Sequence, residues 1–271
     1  MKEPFNFKGK RAVSIQFMWS ELSFPERVAR AAQAGFNAVE MWDWRDKDID
    51  AIAEAAHKHG VVITGFFGNR IAGLVDKEDH ERNLQGLKES LEVAKRTGTP
   101  VIHLFTNEIK PGGKVTPNRR EIPLEEQWEN CLTGLKQCAR LGEEYGVTLL
   151  LEAINPVFVP GYLLDTAEKC RLMTEQVGSP WVPMIYDFYH QQLSGGNLIE
   201  HFKRCQNVTR AVHIADVPGR HQPGTGEINY ANISAVLEET GCDGMLTFEV
   251  TPKGSAEEAV KAIRTLFSDW F

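Results

Sequence analysis

A chain of 271 residues, 42% hydrophobic and 25% charged, carries enough apolar material for one large core and reads as a single α/β domain over 1–271. A formal charge of −7 weighs against nucleic acid as the main partner, because binding a phosphate backbone needs a basic face. The start, MKEPFNFKGKRAV, has no apolar run long enough for a signal peptide, and no later run approaches a membrane span, so no membrane partner is expected.

Short apolar runs alternate with amphipathic stretches eight times. AVSIQF leads into FPERVARAAQAG, a helix opened by Ser23 with Glu26 three residues on and Pro25 just inside, a capping-box pattern. AVEMW leads into DIDAIAEAAHKHG, VVITGFF into DHERNLQGLKESLEVAKRTG, and PVIHLF into LEEQWENCLTGLKQCARLGEEYG. VTLLLE, VPMIYD, AVHIA and MLTFEV are followed by TAEKCRLMTEQVG, NLIEHFKRCQ, YANISAVLEETG and SAEEAVKAIRTLF. In the amphipathic stretches apolar residues recur at three and four, the period of a helix with one buried face. Several stop at a glycine (Gly35, Gly60, Gly98, Gly146, Gly178, Gly241), which takes a left-handed terminal conformation cheaply. The strands are nearly continuous in hydrophobicity, as parallel strands covered on both faces are. Eight such units point to a (β/α)8 TIM barrel. An open doubly wound sheet is the rival, because alternation alone does not prove closure. The five cysteines form no C-x-x-C pair and are odd in number, which suits a reducing, cytoplasmic setting.

In a barrel the chemistry sits at the carboxyl ends of the strands. The last four strands share a habit: LLLE ends in Glu152, MIYD in Asp187, RAVH in His213 and LTFE in Glu249. Consecutive strands are spatial neighbours in this fold, so the four side chains are expected to converge on one quadrant of the mouth. Three carboxylates there repel one another and are costly to bury unless a cation compensates. One divalent metal ion is the simplest remedy. Three oxygen donors and one imidazole suit Mn²⁺, Mg²⁺ or Co²⁺, with Zn²⁺ also possible. Glu152 and Glu249 also offer an acid/base pair across a small-molecule substrate. A metal that polarises a carbonyl acidifies the neighbouring C–H, and a glutamate can then move that proton. This is the chemistry of aldose–ketose isomerisation and of sugar epimerisation.

Other residues are expected around that quadrant. His190, three past Asp187 in YDFYHQQ, is placed near a substrate oxygen, and Arg220 offers a planar fork to a carboxylate or hydroxyl. PGTG at 223–226 reads as a plain turn rather than a phosphate loop. His103 is a weaker pocket candidate, and His57, His59, His80 and His201 read as helix-surface residues. Trp19, Trp42, Trp44, Phe66 and Phe67 end early strands and form either an apolar wall or core.

LLLEAINP, YDFYHQQ, VPGRHQPGTGEINY and FEVTPKG resemble the hydroxypyruvate isomerase branch of the xylose-isomerase-like barrel superfamily, and the resemblance covers nearly the whole chain. It implies a (β/α)8 barrel, interconversion of hydroxypyruvate with tartronate semialdehyde or a close relative, and catalytic glutamates at Glu152 and Glu249. The wider superfamily implies a metal held by Glu152, Asp187, His213 and Glu249, with His190 near the substrate, and a homo-oligomer, dimer or tetramer. Asp216 is then expected behind the ligands, orienting His213 or an adjacent water. Departures are visible. His213 stands where hydroxypyruvate isomerases often carry glutamine, which draws this chain toward the metal-binding members. EVTPKG replaces the more usual EYKPRG. The ketose 3-epimerase pattern E-x-x-N-x-x-E fits Glu152 and Asn155 but meets Phe158 at its last place, and Arg220 lies one residue further from His213 than in that group. A lyase or dehydratase using the same deprotonated intermediate is a second enzyme class. An apurinic endonuclease and a non-catalytic sugar-binding barrel are the remaining rivals.

Overall fold

The computed structural model describes residues 2–117 and 121–271. Its first half runs β1 (Arg11–Ser14), α1 (Phe24–Gln33), β2 (Ala38–Glu40), α2 (Ile49–His59), β3 (Val62–Gly65), α3 (His80–Thr97) and β4 (Val101–Leu104). A small hairpin follows, β5 (Ile109–Lys110) and β6 (Lys114–Val115), then α4 (Leu124–Tyr145), β7 (Thr148–Glu152) and α5 (Ala167–Val177). The last part is β8 (Met184–Asp187), α6 (Phe188–Ser194), α7 (Leu198–Cys205), β9 (Thr209–Ile214), α8 (Tyr230–Glu239), β10 (Met245–Phe248) and α9 (Ala256–Leu266).

All eight expected strands form, and they pair in parallel in the order β3-β2-β1-β10-β9-β8-β7-β4. The two outer strands of that series then meet. The His103 N–H donates to the Phe66 carbonyl at 2.9 Å, and the Gly68 N–H donates to the His103 carbonyl at 2.8 Å. These bonds close the sheet into the (β/α)8 TIM barrel, and the open-sheet rival falls.

The helices end where glycine allows it. Gly60, Gly98, Gly146 and Gly178 cap α2, α3, α4 and α5 in the left-handed region. The capping box at α1 is present, with the Ser23 N–H donating to Glu26 at 2.9 Å. Three features lie outside the sequence reading. The β5–β6 hairpin interrupts the connection from β4 to α4. YDFYHQQ is the helix α6, begun directly by Asp187, whose Oδ1 accepts the His190 N–H at 2.9 Å. His80, expected on a helix surface, is buried with Nε2 3.0 Å from the Leu74 carbonyl; Gly134 lets α4 pack directly over it. His57 and His59 are exposed as expected. The five cysteines are free thiols, and among the described residues no helix is long and apolar enough to cross a membrane.

Candidate active site

Strand alternation sets the site. Side chains two apart point the same way, so Leu150 and Glu152 both face the barrel axis, as do Ile185 and Asp187, and Ala211 and His213. The apolar member sits below and the polar member at the mouth. Glu152, Asp187, His213 and Glu249 are all buried, and each offers one ligand atom within 4.8 Å of the others. His213 Nδ1 stands 3.3 Å from Glu249 Oε2, 3.7 Å from Glu152 Oε1 and 4.0 Å from Asp187 Oδ2.

The donor atoms are under-used. Glu152 Oε1 and both ring nitrogens of His213 are buried with no hydrogen-bond partner. Buried polar atoms are normally paired, so this cluster fits a divalent cation bound by three carboxylates and one imidazole. Charge points the same way. Four buried carboxylates (Glu40, Glu152, Asp187 and Glu249) face one fixed guanidinium, Arg220, and that deficit is what a divalent cation removes.

The environment drives the two glutamates apart. Burial raises the Glu152 carboxyl to about 8, partly offset by His213. At Glu249 burial also pushes upward, but Arg220 and His213 outweigh it and hold the carboxyl well below the usual range. Burial pushes His213 downward, yet Glu40 first, and then Glu249 and Glu152, bring it up to about 10.

His190 lies in the first turn of α6, with Nε2 3.6 Å from Asp187 Oδ2 and 4.0 Å from Glu152 Oε1. Its Nδ1 accepts from the Asn155 side-chain amide at 2.6 Å and from the Asn155 N–H at 3.3 Å. Burial lowers its pKa to about 4, so the ring is neutral and carries its one proton on Nε2, facing the site. Arg220 donates to Glu249 Oε2 at 2.6 Å and lies 3.5 Å from Asp187 Oδ2, with its guanidinium over the Tyr189 ring. Arg220 itself takes a left-handed backbone at φ 55°.

Asp216 does other work than expected. Its Oδ2 accepts the N–H groups of Gly224, Thr225 and Gly226 at 2.9–3.0 Å, and its Oδ1 accepts those of Val217 and Ile228. It therefore organises the PGTG turn rather than His213. Gln222 exchanges two hydrogen bonds with the Lys253 backbone, tying this loop to the one after β10.

Sequence reasoning missed Glu40 altogether and, at Trp42, the hydrogen bond it makes. Glu40, the last residue of the three-residue β2, lies 3.4 Å from His213 Nε2; the sequence placed it within the strand AVEMW with no part in the site. The indole N–H of Trp42 donates to Glu249 Oε1 at 2.9 Å. Trp42 also stacks on Phe67, whose edge meets Phe105, which gives the mouth the apolar wall expected of part of the aromatic set. Trp19 and Phe66 are core, and Trp44 donates to Ser90. Phe158 is exposed at the rim and stacks on Tyr189.

The family model described as xylose isomerase-like TIM barrel matches residues 28–266. The chain belongs to the xylose isomerase-like TIM-barrel family. Within reach of that family's members, a Danio rerio protein provisionally named a hydroxypyruvate isomerase is 30% identical over 265 residues, covering 94% of each chain. A Haemophilus influenzae protein named 2-oxo-tetronate isomerase is 29% identical over 274 residues, covering 97% of this chain and 98% of its own. Among solved structures, a family 2 AP endonuclease from Brucella melitensis superposes with a TM-score of 0.84 at 25% identity, over 94% of this chain and 98% of that one. The resemblance drawn from the strand-end motifs therefore holds across nearly the full length.

Proposed function

We propose that this family member is a divalent-metal-assisted isomerase of a small hydroxycarbonyl acid, of the kind named by its hydroxypyruvate and 2-oxo-tetronate isomerase relatives. The observation that carries this reading is the convergence of four buried ligand atoms within 4.8 Å, two of them unpaired. Glu152, Asp187, His213 and Glu249 would hold the ion, and Mn²⁺ or Mg²⁺ suits their mixed oxygen–nitrogen set. When bound, such an ion polarises the substrate's carbonyl and acidifies the adjacent C–H.

The chain's own groups do the rest. A substrate entering the mouth meets Glu152 on one side and Glu249 on the other. One glutamate takes the proton from the carbon that bears the hydroxyl. The released electron pair forms the carbon–carbon double bond of the enediol while the carbonyl π pair moves to its oxygen, which takes up the proton that the hydroxyl oxygen gives up. A proton then returns to the neighbouring carbon, from the same glutamate or from its partner, so that hydroxyl and carbonyl exchange places with no net change in atoms. The His190 Nε2–H donates to a substrate oxygen, because Asn155 holds the ring with that proton inward. Arg220 receives the substrate's carboxylate on a guanidinium steadied by Glu249 and Tyr189. The hydrogen bonds of Asp216 and Gln222 fix the loop that carries Arg220. Phe158, where an epimerase-like pattern needs a glutamate, leaves an aromatic rim and weighs against a ketose 3-epimerase. The free thiols are compatible with a cytoplasmic setting.

The test is metal retained per chain after Mn²⁺ loading and desalting, together with turnover of hydroxypyruvate, for the parent and His213→Gln. About one equivalent with turnover in the parent, and loss of both in the variant, supports the reading. Turnover in the metal-stripped parent at the loaded rate overturns it.

A further inference from the structure

Glu40 is buried, and its Oε2 has no hydrogen-bond partner. It faces two imidazoles, with His213 Nε2 at 3.4 Å and His103 Nε2 at 3.8 Å. His213 therefore stands between Glu40 on its Nε2 side and the three carboxylates of Glu249, Glu152 and Asp187 on its Nδ1 side. An imidazole ligates a metal through one nitrogen and keeps its proton on the other. Three carboxylates around Nδ1 draw that proton to Nδ1, which would present a hydrogen to the ligand set instead of a lone pair. An acceptor on the opposite side is needed to reverse the preference, and among the described residues Glu40 is the carboxylate placed there.

We propose that Glu40 is a positioning residue that holds the His213 proton on Nε2 and so directs the Nδ1 lone pair at the space between Glu152, Asp187 and Glu249.

The surroundings of Glu40 are built for this contact. The pairing of β2 with β3 shifts register between Val39 and Glu40, which sets Glu40 opposite Gly65. A Cβ at Gly65 would clash with His103 Nε2 and lie 3.2 Å from the Glu40 Cβ, so only glycine leaves room for the His103 ring against Glu40. That ring is anchored by the backbone bonds that close the barrel. His103 Nε2, 3.8 Å away, is the second imidazole nitrogen facing this buried carboxylate. Removing Glu40 leaves His213 Nε2 facing no carboxylate among the described residues and the competition at Nδ1 unopposed. A carboxylate behind a metal-bound histidine typically changes metal affinity by about 10–100-fold.

The inference rests on the metal-assisted reading, and the experiment separates the two. Mn²⁺ affinity is measured by equilibrium dialysis for the parent, Glu40→Met and Glu40→Gln, with folding checked by far-UV circular dichroism. The ring ¹⁵N signals of His213 are read in the Mg²⁺-loaded proteins. Glu40→Met, which removes the acceptor at similar volume, is expected to weaken Mn²⁺ binding by about 10–100-fold and to lose the hydrogen-bonded Nε2–H signal. Glu40→Gln keeps a neutral acceptor and is expected to retain that signal with a smaller loss. If Glu40→Met does not fold, Glu40→Asp, whose shorter carboxylate withdraws from Nε2, is expected to show the same direction. A folded Glu40→Met with the parent's affinity and Nε2–H signal overturns this proposal alone. Two Mn²⁺ per parent chain, falling to one in Glu40→Met, also overturns it and makes Glu40, His103 and His213 a second cation site. No Mn²⁺ in the parent overturns both readings.

Discussion

The base and the mouth of the barrel interior are built from the same strands, two residues apart, and they differ in almost every physical respect. At the base Ala12, Ala38, Val101, Leu150, Ile185, Ala211 and Met245 form a separate apolar cluster closed by Phe7. Two residues further along, the inward positions read Ser14, Glu40, His103, Glu152, Asp187, His213 and Thr247, all buried. Several of these carry unpaired polar atoms: Ser14 Oγ, Glu40 Oε2, His103 Nε2, Glu152 Oε1, Thr247 Oγ1 and both His213 nitrogens. The base gains stability by removing apolar surface from water and by close packing. The mouth accepts unfavourable burial of charge, which is tolerable because the base and the helix–sheet layer hold the backbone in place. The two layers should therefore respond oppositely to substitution.

The largest expected effect is at the mouth. Glu152→Gln and Glu249→Gln are each expected to lower hydroxypyruvate turnover by about 100-fold to 10⁴-fold, the span of general acid–base catalysis. The thermal midpoint of Glu152→Gln should match or exceed that of the metal-free parent, since it removes a charge that burial disfavours. That of Glu249→Gln should fall, since it takes the carboxylate from Arg220. Steady-state kinetics and a thermal melt on the same preparations check both halves. A folded variant with parental turnover would remove that glutamate from the mechanism.

At the base the pattern inverts. Leu150 is fully buried beneath Glu152, and Leu150→Ala is expected to cost about 2–5 kcal/mol in urea unfolding through lost burial and a residual cavity. Turnover per folded chain should stay near the parent's. If turnover collapses while the chain remains folded, the two layers are coupled more tightly than the alternation implies.

The smallest effect belongs to a carboxylate outside both layers. Glu258, exposed in the first turn of α9, accepts the Ser255 N–H at 2.8 Å. That backbone bond, with the Ser255 hydroxyl bond, holds its pKa below the ordinary carboxylate value of 4.5. A lowered folded pKa stabilises fully above the unfolded value, and the gain is lost as pH falls through the folded one. Glu258→Gln should therefore melt slightly below the parent at neutral pH, with the gap closing in acid. A gap that widens in acid would refute the assignment.

Most of the barrel and the four proposed ligands were legible in the sequence because both are written in local periodicity. Eight apolar runs with helical stretches between them define the strands. A polar residue ending each of the last four strands must face the mouth once the sheet closes, because side-chain direction alternates along a strand. The remaining contributors are non-local. Glu40 ends a three-residue strand, and its link to His213 depends on a register shift opposite Gly65. Trp42 reaches Glu249 across 207 residues of sequence. His80 has the exposed look of a polar residue at a helix start, but Gly134 brings α4 down over it. Asp216 was legible as important but not in its role, because its oxygens are taken by N–H groups that a turn gathers only once it folds.

By itself, then, the sequence determined the strand and helix pattern, the inward alternation and the four polar strand ends, because these depend on periods of two and 3.6 residues within one segment. Tertiary structure alone decided closure through the His103 seam, the pairing of Glu40 with His213 and the capture of the 216–228 loop by Asp216. The first two bring together strands far apart in the chain and the third depends on how one loop turns back on itself, and no local period of two or 3.6 residues encodes either.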